Sequence, residues 1–181
     1  MTLVDFFATA NPVFLIAEIG GNHEGDFNYA LRLCDLAIES GADAVKFQLY
    51  RGDHLVSRVS QSERNAHFKR FELSREQHIE IASRVRAAGR HYMASVWDEE
   101  MLTWIDPFIA IHKVGSGDLT CTSMLRALAG TGKPIVMATG LSTLEEVHAA
   151  VATIAEIDGS YLDERKLALL QCTSAYPTPE T

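Results

Sequence analysis

Short apolar runs alternate with longer amphipathic segments along the chain. The apolar runs predict strands at 13–19, 44–50, 91–97, 110–116, 134–140 and 167–173. The amphipathic segments predict helices at 27–40, 73–89, 98–105, 119–132 and 142–156. An alternation of this kind is typical of repeated βαβ units, in which helices cover a parallel sheet.

Capping patterns mark the start of two of these helices. Ser74 is followed by Gln77, and Ser142 by Glu145, which is the spacing of a capping box. The segment 51–72, between the second strand and the next helix, is polar, and we expect it to form a surface lobe.

Polar residues recur near the carboxyl ends of the predicted strands. In chain order they are Glu18, Lys46, Gln48, Ser95, Lys113, Ser116, Thr139, Thr173 and Ser174. An open doubly wound sheet would concentrate such residues at its switch point, whereas a (β/α)8 barrel places them around one rim. The pattern therefore favours an α/β fold of the TIM-barrel type. Only about six of the eight βα units are found, so residues 1–181 are expected to form a partial TIM-barrel domain.

The composition is typical of a soluble globular chain and argues against some classes of partner. The 181 residues are 47% hydrophobic and 22% charged, with a formal net charge of -8, which argues against nucleic-acid binding. No stretch is long enough to span a membrane, and the first residues lack the basic head of a signal peptide, so a cytoplasmic protein is expected. The three cysteines, Cys34, Cys121 and Cys172, are widely spaced and are expected to be small core residues.

Lys46 and Gln48 lie inside an otherwise apolar strand. They are two positions apart and therefore share one face. A buried ammonium without a partner costs several kcal/mol, so Lys46 needs an anion nearby. That anion is either a bound ligand or a structural partner such as Glu18.

Two glycine turns after strands suggest phosphate binding. The first, "KVGSGDLT" (113–120), joins Lys113 to a Gly-Ser-Gly turn and to a helix expected to begin near Leu119. The second, "ATGLST" (138–143), repeats the order of strand, glycine and helix. Glycines let a ligand approach the backbone, and helix N-termini attract phosphate. The alternative is that both are ordinary βα turns.

Two further segments have both a functional and a structural interpretation. The loop "EIGGNHEGD" (18–26) contains His23 between carboxylates, but it has no second histidine at helical spacing, so turn formation competes with metal binding. Tyr176 follows the last strand in "CTSAYPTPE". It is either a surface turn residue or a hydrogen-bonding partner for a polar ligand at the barrel rim.

Six stretches, in this order, resemble the N-acetylneuraminate (sialic acid) synthase family. They are "IAEIGGNHEGD", "GADAVKFQ", "FELSREQH", "KVGSGDLT", "GKPIVMATGLSTLEEV" and "LLQCTSAYPTP", and they extend over nearly all of 13–179. The resemblance implies a (β/α)8 barrel that condenses phosphoenolpyruvate with an N-acylated amino sugar, such as N-acetylmannosamine, and water. The expected products are a nine-carbon 2-keto acid and phosphate.

The resemblance also implies roles for individual residues. Residues matching Lys113, Ser116 and Ser95 hold the phosphate of phosphoenolpyruvate, Ser174 lies near it, and Lys46 serves the same substrate. Gln48, Asp118 and Tyr176 match positions that face the amino sugar. Glu18 matches an acidic residue beside the reacting carbons, where it acts as general base or positions water.

Some features of the family are changed or lie outside these residues. Ala138 stands where the family has a phosphate-contacting serine, Ser95 and Val96 replace a common threonine and proline, and Gln171 replaces a frequent histidine. These changes leave the acceptor open among precursors of sialic, legionaminic and pseudaminic acids. The resemblance further implies a divalent metal (Mn or Mg) whose two histidine ligands, like the last barrel strands and an antifreeze-like domain, follow residue 181.

The chain is accordingly expected to be the N-terminal portion of a longer synthase that forms a homodimer at full length. Two alternatives stay open. One is another phosphoenolpyruvate-dependent aldol synthase with a different acceptor. The other is a truncated, non-catalytic module that has kept a phosphate pocket.

Overall fold

The computed structural model describes residues 13–175 and 177–180, which fall into two compact units. The described residues of the first unit are 13–111, and those of the second are 112–175 and 177–180. Tyr176, a predicted site residue, lies outside the described residues.

Three parallel strands form the sheet of the first unit. They are β1 (Ile16–Gly20), β2 (Ala44–Leu49) and β3 (His91–Val96), in that spatial order. The register pairs Glu18 with Lys46 and Gln48 with Ser95, with an irregularity between Glu18 and Gly20. Because paired residues in parallel strands point to the same side, the four polar side chains share one face of the sheet.

Helices follow each of these strands. They are α1 (Phe27–Glu39), α2 (Gly52–Leu55), α3 (Ser62–Arg70), α4 (Arg75–Ala87) and α5 (Glu99–Ile105), and a 3₁₀ turn (Asp106–Phe108) comes after α5. The predicted capping box of α4 is confirmed: the Ser74 hydroxyl accepts from the Gln77 backbone N–H, and the Gln77 side chain accepts from the Ser74 N–H. The polar segment 51–72 contains two helices, α2 and α3, and it buries Asn65.

The opposite face of this sheet holds the core of the first unit. Phe47 and Tyr92 are fully buried there and stack on each other with ring centroids 6.3 Å apart. Cys34 of α1 and Ile81 of α4 are likewise inaccessible to solvent. Burial of each large side chain contributes about 1.5–3 kcal/mol, so this layer fixes the sheet against its helices.

The second unit repeats the arrangement with three parallel strands. These are β4 (His112–Val114), β5 (Ile135–Ala138) and β6 (Leu167–Leu170), in that order. Its helices are α6 (Thr122–Ala129), α7 (Leu144–Ile157) and α8 (Ser160–Asp163), and a 3₁₀ turn (Ser116–Asp118) follows β4. The buried side chains of Leu125, Ile135, Met137 and Ile154 form its core.

Two predicted helix starts were wrong by a few residues. The capping box of α7 consists of Thr143 and Glu146, one position later than the predicted pair. The helix after β4 begins at Thr122 rather than near Leu119, because residues 116–118 first turn as a 3₁₀ helix with Asp118 N–H bonded to the Gly115 carbonyl.

The cysteines also differ from expectation. Only Cys34 is a core residue, whereas Cys121 is exposed and Cys172 is half-buried.

The described residues establish an α/β fold with parallel sheets. Every predicted strand overlaps an observed one. Closure into a (β/α)8 barrel and the single partial domain over 1–181 stay predictions. Among the described helices, none is long and apolar enough to cross a membrane.

Candidate active site and adjoining pocket

The polar face of the first sheet is centred on a buried lysine. The Lys46 ammonium lies 2.7 Å from Glu18 Oε2, and the side-chain exposures are 5% for Lys46 and 51% for Glu18. Lys46 thus has the anionic partner that its burial requires, while the carboxylate of that partner remains open to solvent and ligands. Ser95 is buried on the neighbouring strand.

Gly20 lets the Glu18 carboxylate and the Gln48 amide lie close together. A Cβ atom at Gly20 would lie 3.1 Å from Glu18 Oε1 and 3.4 Å from Gln48 Nε2, and its φ of +57° favours glycine. A side chain here would fill the space that the two polar groups share. The arrangement therefore joins Glu18, Lys46 and Gln48 into one cluster.

A pocket of about 280 Å³ opens beside this cluster. It is lined by Gly21, Asn22, Glu24, Gln48, Tyr50, His67, Phe68 and Phe71. Gln48 belongs to both the pocket and the polar cluster. Burial, and secondarily the nearby Glu72, raises the pKa of Tyr50 to about 12, so its phenol stays neutral and can donate a hydrogen bond.

Close backbone packing holds the two walls of the pocket together. Gly25 has a φ of +84°, and a Cβ atom there would overlap the backbone carbonyl of Arg70 at the end of α3. The buried Asn65 amide donates to the carbonyls of Gly52 and Val56, which ties α3 to the preceding turn. The β1–α1 loop and the 51–72 lobe are thereby fixed to each other.

An ion-pair cluster links the ends of β2 and β3. Arg51 Nε lies 2.8 Å and His54 Nδ1 2.7 Å from Asp98 Oδ2, and the Asp98 side chain is only 7% exposed. Burial by itself would raise the pKa of Asp98. Hydrogen bonds from Arg51, from the Glu100 backbone and from His54 outweigh it and hold that pKa below its usual value.

In the second unit, two predicted hydroxyls converge on Gly140. A Cβ atom at Gly140 would lie 2.9 Å from Ser116 Oγ and 3.1 Å from Ser174 Oγ, and the Gly140 N–H donates to Ser116 Oγ at 3.1 Å. Lys113 Nζ donates to the Val114 carbonyl at 2.8 Å, at the end of β4. Hydroxyls beside a glycine backbone and a lysine are the donors that a phosphate group uses.

Asp118 is turned back over the same loop. Its Oδ2 lies 2.7 Å from the position that a Cβ atom of Gly115 would occupy, so only glycine fits beneath it. Among the predicted site residues, the structure thus groups Glu18, Lys46, Gln48 and Ser95 in the first unit and Lys113, Ser116, Asp118 and Ser174 in the second.

The described residues do not bring together three histidine, cysteine or acidic side chains that could hold a metal ion. His23, in the candidate loop, is buried: it stacks on Phe47, and its Nδ1 accepts from the Gly25 N–H. Burial lowers the pKa of His23. The residues that the structure describes therefore do not fit the implied metal, and no chemical step is assigned to one.

Sequence reasoning missed the aromatic wall of the pocket. It treated 51–72 as a polar surface lobe, although His67, Phe68 and Phe71 line the pocket. The one signal was the spacing of Phe68 and Phe71, which lie three residues apart at the end of a helix and so share a face. Nothing in the sequence indicated that this face meets the β1–α1 loop.

Lysines and hydroxyls at the ends of parallel strands in an α/β chain are suited to binding anionic groups. The chain belongs to the NeuB family, whose model matches residues 33–181. The resemblance to N-acetylneuraminate synthases is confirmed.

Named relatives and a solved structure agree with this assignment. The chain is 34% identical to the N,N'-diacetyllegionaminic acid synthase of Legionella pneumophila over 91% of this chain and 49% of the relative. It is 30% identical to the mouse N-acetylneuraminate-9-phosphate synthase over 92% of this chain and 48% of that relative. The crystal structure of a sialic acid synthetase from Leptospira borgpetersenii superposes with a TM-score of 0.83 at 29% identity, covering 94% of this chain and 57% of that one.

The chain thus spans about half the length of the curated relatives it matches. Both relatives are named as sugar acid synthases. The family to which the chain belongs therefore includes sugar acid synthases.

Proposed function

We propose that this chain carries part of a synthase that joins phosphoenolpyruvate to an N-acylated amino sugar. In this reaction C3 of phosphoenolpyruvate forms a bond to the sugar aldehyde carbon, whose oxygen takes up a proton, and water adds at C2 with loss of a proton. The bond between C2 and the phosphate oxygen then breaks, the new C2 hydroxyl loses its proton to become the keto group, and inorganic phosphate is released. The product is a nine-carbon 2-keto sugar acid.

The observation that carries the proposal is the convergence of Ser116, Ser174 and the Gly140 N–H in the second unit. Ser116 Oγ accepts from Gly140, which leaves its own hydrogen able to donate to an anion. With Lys113 at the end of the adjacent strand, these groups supply donors for the phosphate of phosphoenolpyruvate. Preorganised donors of this kind also stabilise the charge that develops as phosphate leaves.

The polar cluster of the first unit supports the same chemistry. Lys46 is a buried cation suited to an anionic substrate, and Glu18 is an exposed carboxylate held 2.7 Å from it. We assign Glu18 to orienting water or accepting its proton, because a carboxylate beside the reacting carbons can do either. Gln48 donates and accepts hydrogen bonds toward the sugar, and Ser95 serves the phosphoenolpyruvate end. Asp118 and Tyr176 are assigned to the sugar by resemblance alone.

Synthases of the family are in general metal-dependent. Every role proposed above belongs to a residue of this chain, and none depends on the metal.

The acceptor is the part of the reaction on which the relatives differ. One relative is named for N,N'-diacetyllegionaminic acid and another for N-acetylneuraminate 9-phosphate. We therefore propose an N-acylated amino sugar as the substrate class and N-acetylmannosamine as the first member to assay.

Calorimetry with phosphoenolpyruvate tests the proposal directly on this chain. We expect Lys113→Met and Ser116→Ala each to weaken phosphoenolpyruvate binding by about tenfold or more, because each removes one donor to the phosphate. Ser123→Ala, an exposed serine on α6, is the matched control and should leave the affinity unchanged. A chain that does not bind phosphoenolpyruvate would contradict the proposal.

Turnover is tested with the full-length product of the gene. Release of inorganic phosphate is followed with phosphoenolpyruvate and a panel of N-acyl hexosamines and pentose phosphates. We expect release with N-acyl hexosamines. Release with pentose phosphates alone would instead identify another type of aldol synthase, and binding without any turnover would identify a non-catalytic module.

A further inference from the structure

The pocket of the first unit continues directly from the polar cluster. Gln48 lines the pocket, and its Nε2 lies beside Gly20 with the Glu18 carboxylate. A ligand whose reacting end lies at Glu18 and Lys46 therefore extends past Gln48 into the pocket. At about 280 Å³, the pocket lies near the lower end of the ~300–1,000 Å³ typical of ligand sites, so it has room for the end of a sugar that reaches past Gln48.

The lining has the chemistry of a carbohydrate site. Tyr50, Phe68 and Phe71 supply aromatic rings for C–H faces, and the amides of Asn22 and Gln48 can bond to hydroxyls. Two of these rings are held rigidly, because Tyr50 and Phe68 contact edge to face with centroids 5.6 Å apart.

The charge of the residues that line the pocket favours binding of neutral sugars over phosphorylated ones. Neither lysine nor arginine is among the residues that line the pocket, and Glu24 contributes a carboxylate. Arg70 is close by, but its guanidinium lies over the Phe71 ring, 5.8 Å from the centroid, and 3.4 Å from His67 Nδ1. A phosphate in the pocket would face Glu24 without a lining cation, which is a repulsive arrangement.

The direction of the sugar follows from the bond that forms. Phosphoenolpyruvate adds three carbons at the aldehyde, C1 of the acceptor, so acceptor C6 becomes C9 of the product. If C1 lies beside Glu18, then the C4–C6 end is the one that enters the pocket.

From these observations we infer that the pocket beside Gln48 binds the C4–C6 end of the acceptor and selects an uncharged amino sugar over its 6-phosphate. Glu24 is the specificity-determining residue, and the rings of Phe68 and Phe71 form the surface on which that end of the sugar lies. The inference rests on the proposed function, because it places the aldehyde at Glu18.

Titration of the chain with N-acetylmannosamine and with N-acetylmannosamine 6-phosphate tests the inference. We expect the neutral sugar to bind at least about tenfold more tightly than the phosphate. Glu24→Lys should reverse or abolish this preference. Glu39→Lys makes the same change in net charge on an exposed residue at the end of α1, and it should leave the preference intact.

Saturation-transfer NMR gives a second, geometric readout. The protons on C5 and C6 of the neutral sugar should receive the strongest transfer from the aromatic protons, and Phe71→Leu should reduce that transfer. Equal or tighter binding of the phosphate would overturn the inference, as would strongest transfer to C1 and C2. Identical effects of Glu24→Lys and Glu39→Lys would overturn it too, since they would show only a response to net charge.

The same samples separate this inference from the proposed function. If the chain binds phosphoenolpyruvate but shows no preference between the two sugars, only the pocket assignment is contradicted. If the unaltered chain does not bind phosphoenolpyruvate, the proposed synthase function is contradicted, whatever the sugars do.

Discussion

Substitutions in the ion pair between Lys46 and Glu18 should change the stability of the protein little and its activity strongly. Glu18→Gln leaves a buried ammonium facing an amide. We expect it to lower the free energy of unfolding by about 1 kcal/mol, less than for a fully buried pair because Glu18 is half exposed. Lys46→Met replaces the charge with an apolar chain of similar length, and we expect it to change that free energy by less than about 1 kcal/mol.

Both substitutions should nevertheless reduce phosphate release by the full-length protein at least about a hundredfold, because each removes a charged group proposed to act on the substrates. Urea unfolding gives the stability and the phosphate assay gives the activity. A Lys46→Met variant that keeps normal turnover would show that the pair is only structural, which is the alternative that the sequence left open.

At the scale of elements, Gly25 joins the β1–α1 loop to the end of α3. Gly25→Ala should lower the free energy of unfolding by about 2–4 kcal/mol, because its Cβ atom would overlap the Arg70 carbonyl and its φ is +84°. Gly41→Ala is the matched control. It has a similar φ of +83° but nothing within 4 Å of the added atom, so it should lose only about 1 kcal/mol. If urea unfolding shows that both variants lose the same free energy of unfolding, then the close contact at Gly25 does not contribute to stability.

The start of α7 provides a second test at this scale. Thr143 caps the helix by accepting from the Glu146 N–H, whereas Ser142 bonds to the Gly140 carbonyl before the helix begins. Thr143→Ala should therefore lower the free energy of unfolding by about 1 kcal/mol. Ser142→Ala should lower it by less than about 0.5 kcal/mol. Thermal unfolding of the two variants side by side checks the order, and the reverse order would contradict the observed cap.

For the whole molecule, buried histidines make stability depend on pH. Burial, together with nearby His23, lowers the pKa of His78 from 6.5 to about 3. The unfolded chain therefore binds a proton near pH 6.5 that the folded chain does not bind. The stabilisation is complete above pH 6.5 and is lost as pH falls toward 3, by about 1.4 kcal/mol per pH unit.

Urea unfolding between about pH 6 and pH 5, above the range of most carboxylates, measures this slope. His78→Gln should reduce the slope by about 1 kcal/mol per pH unit. His148→Gln, which alters an exposed histidine on α7, should leave it unchanged. If the slope is the same in all three proteins, then His78 does not control acid stability.

Periodicity and residue chemistry by themselves determined a large part of this protein. Apolar runs of strand length located the strands, because a parallel strand buried on both faces has little freedom to be polar. The exceptions to that rule, Lys46 and Gln48, identified the polar face of the first sheet. The ordered motifs indicated the family.

Only the tertiary structure decided which side chains meet. It showed that Glu18 neutralises Lys46, that Ser116 and Ser174 converge on Gly140, and that α3 turns its aromatic face toward the β1–α1 loop. Local sequence could not give these contacts, because the partners are separated along the chain and their approach depends on glycines whose missing Cβ atoms leave the space. The helix starts at Thr122 and Thr143 were decided in the same way, by hydrogen bonds of the preceding turn.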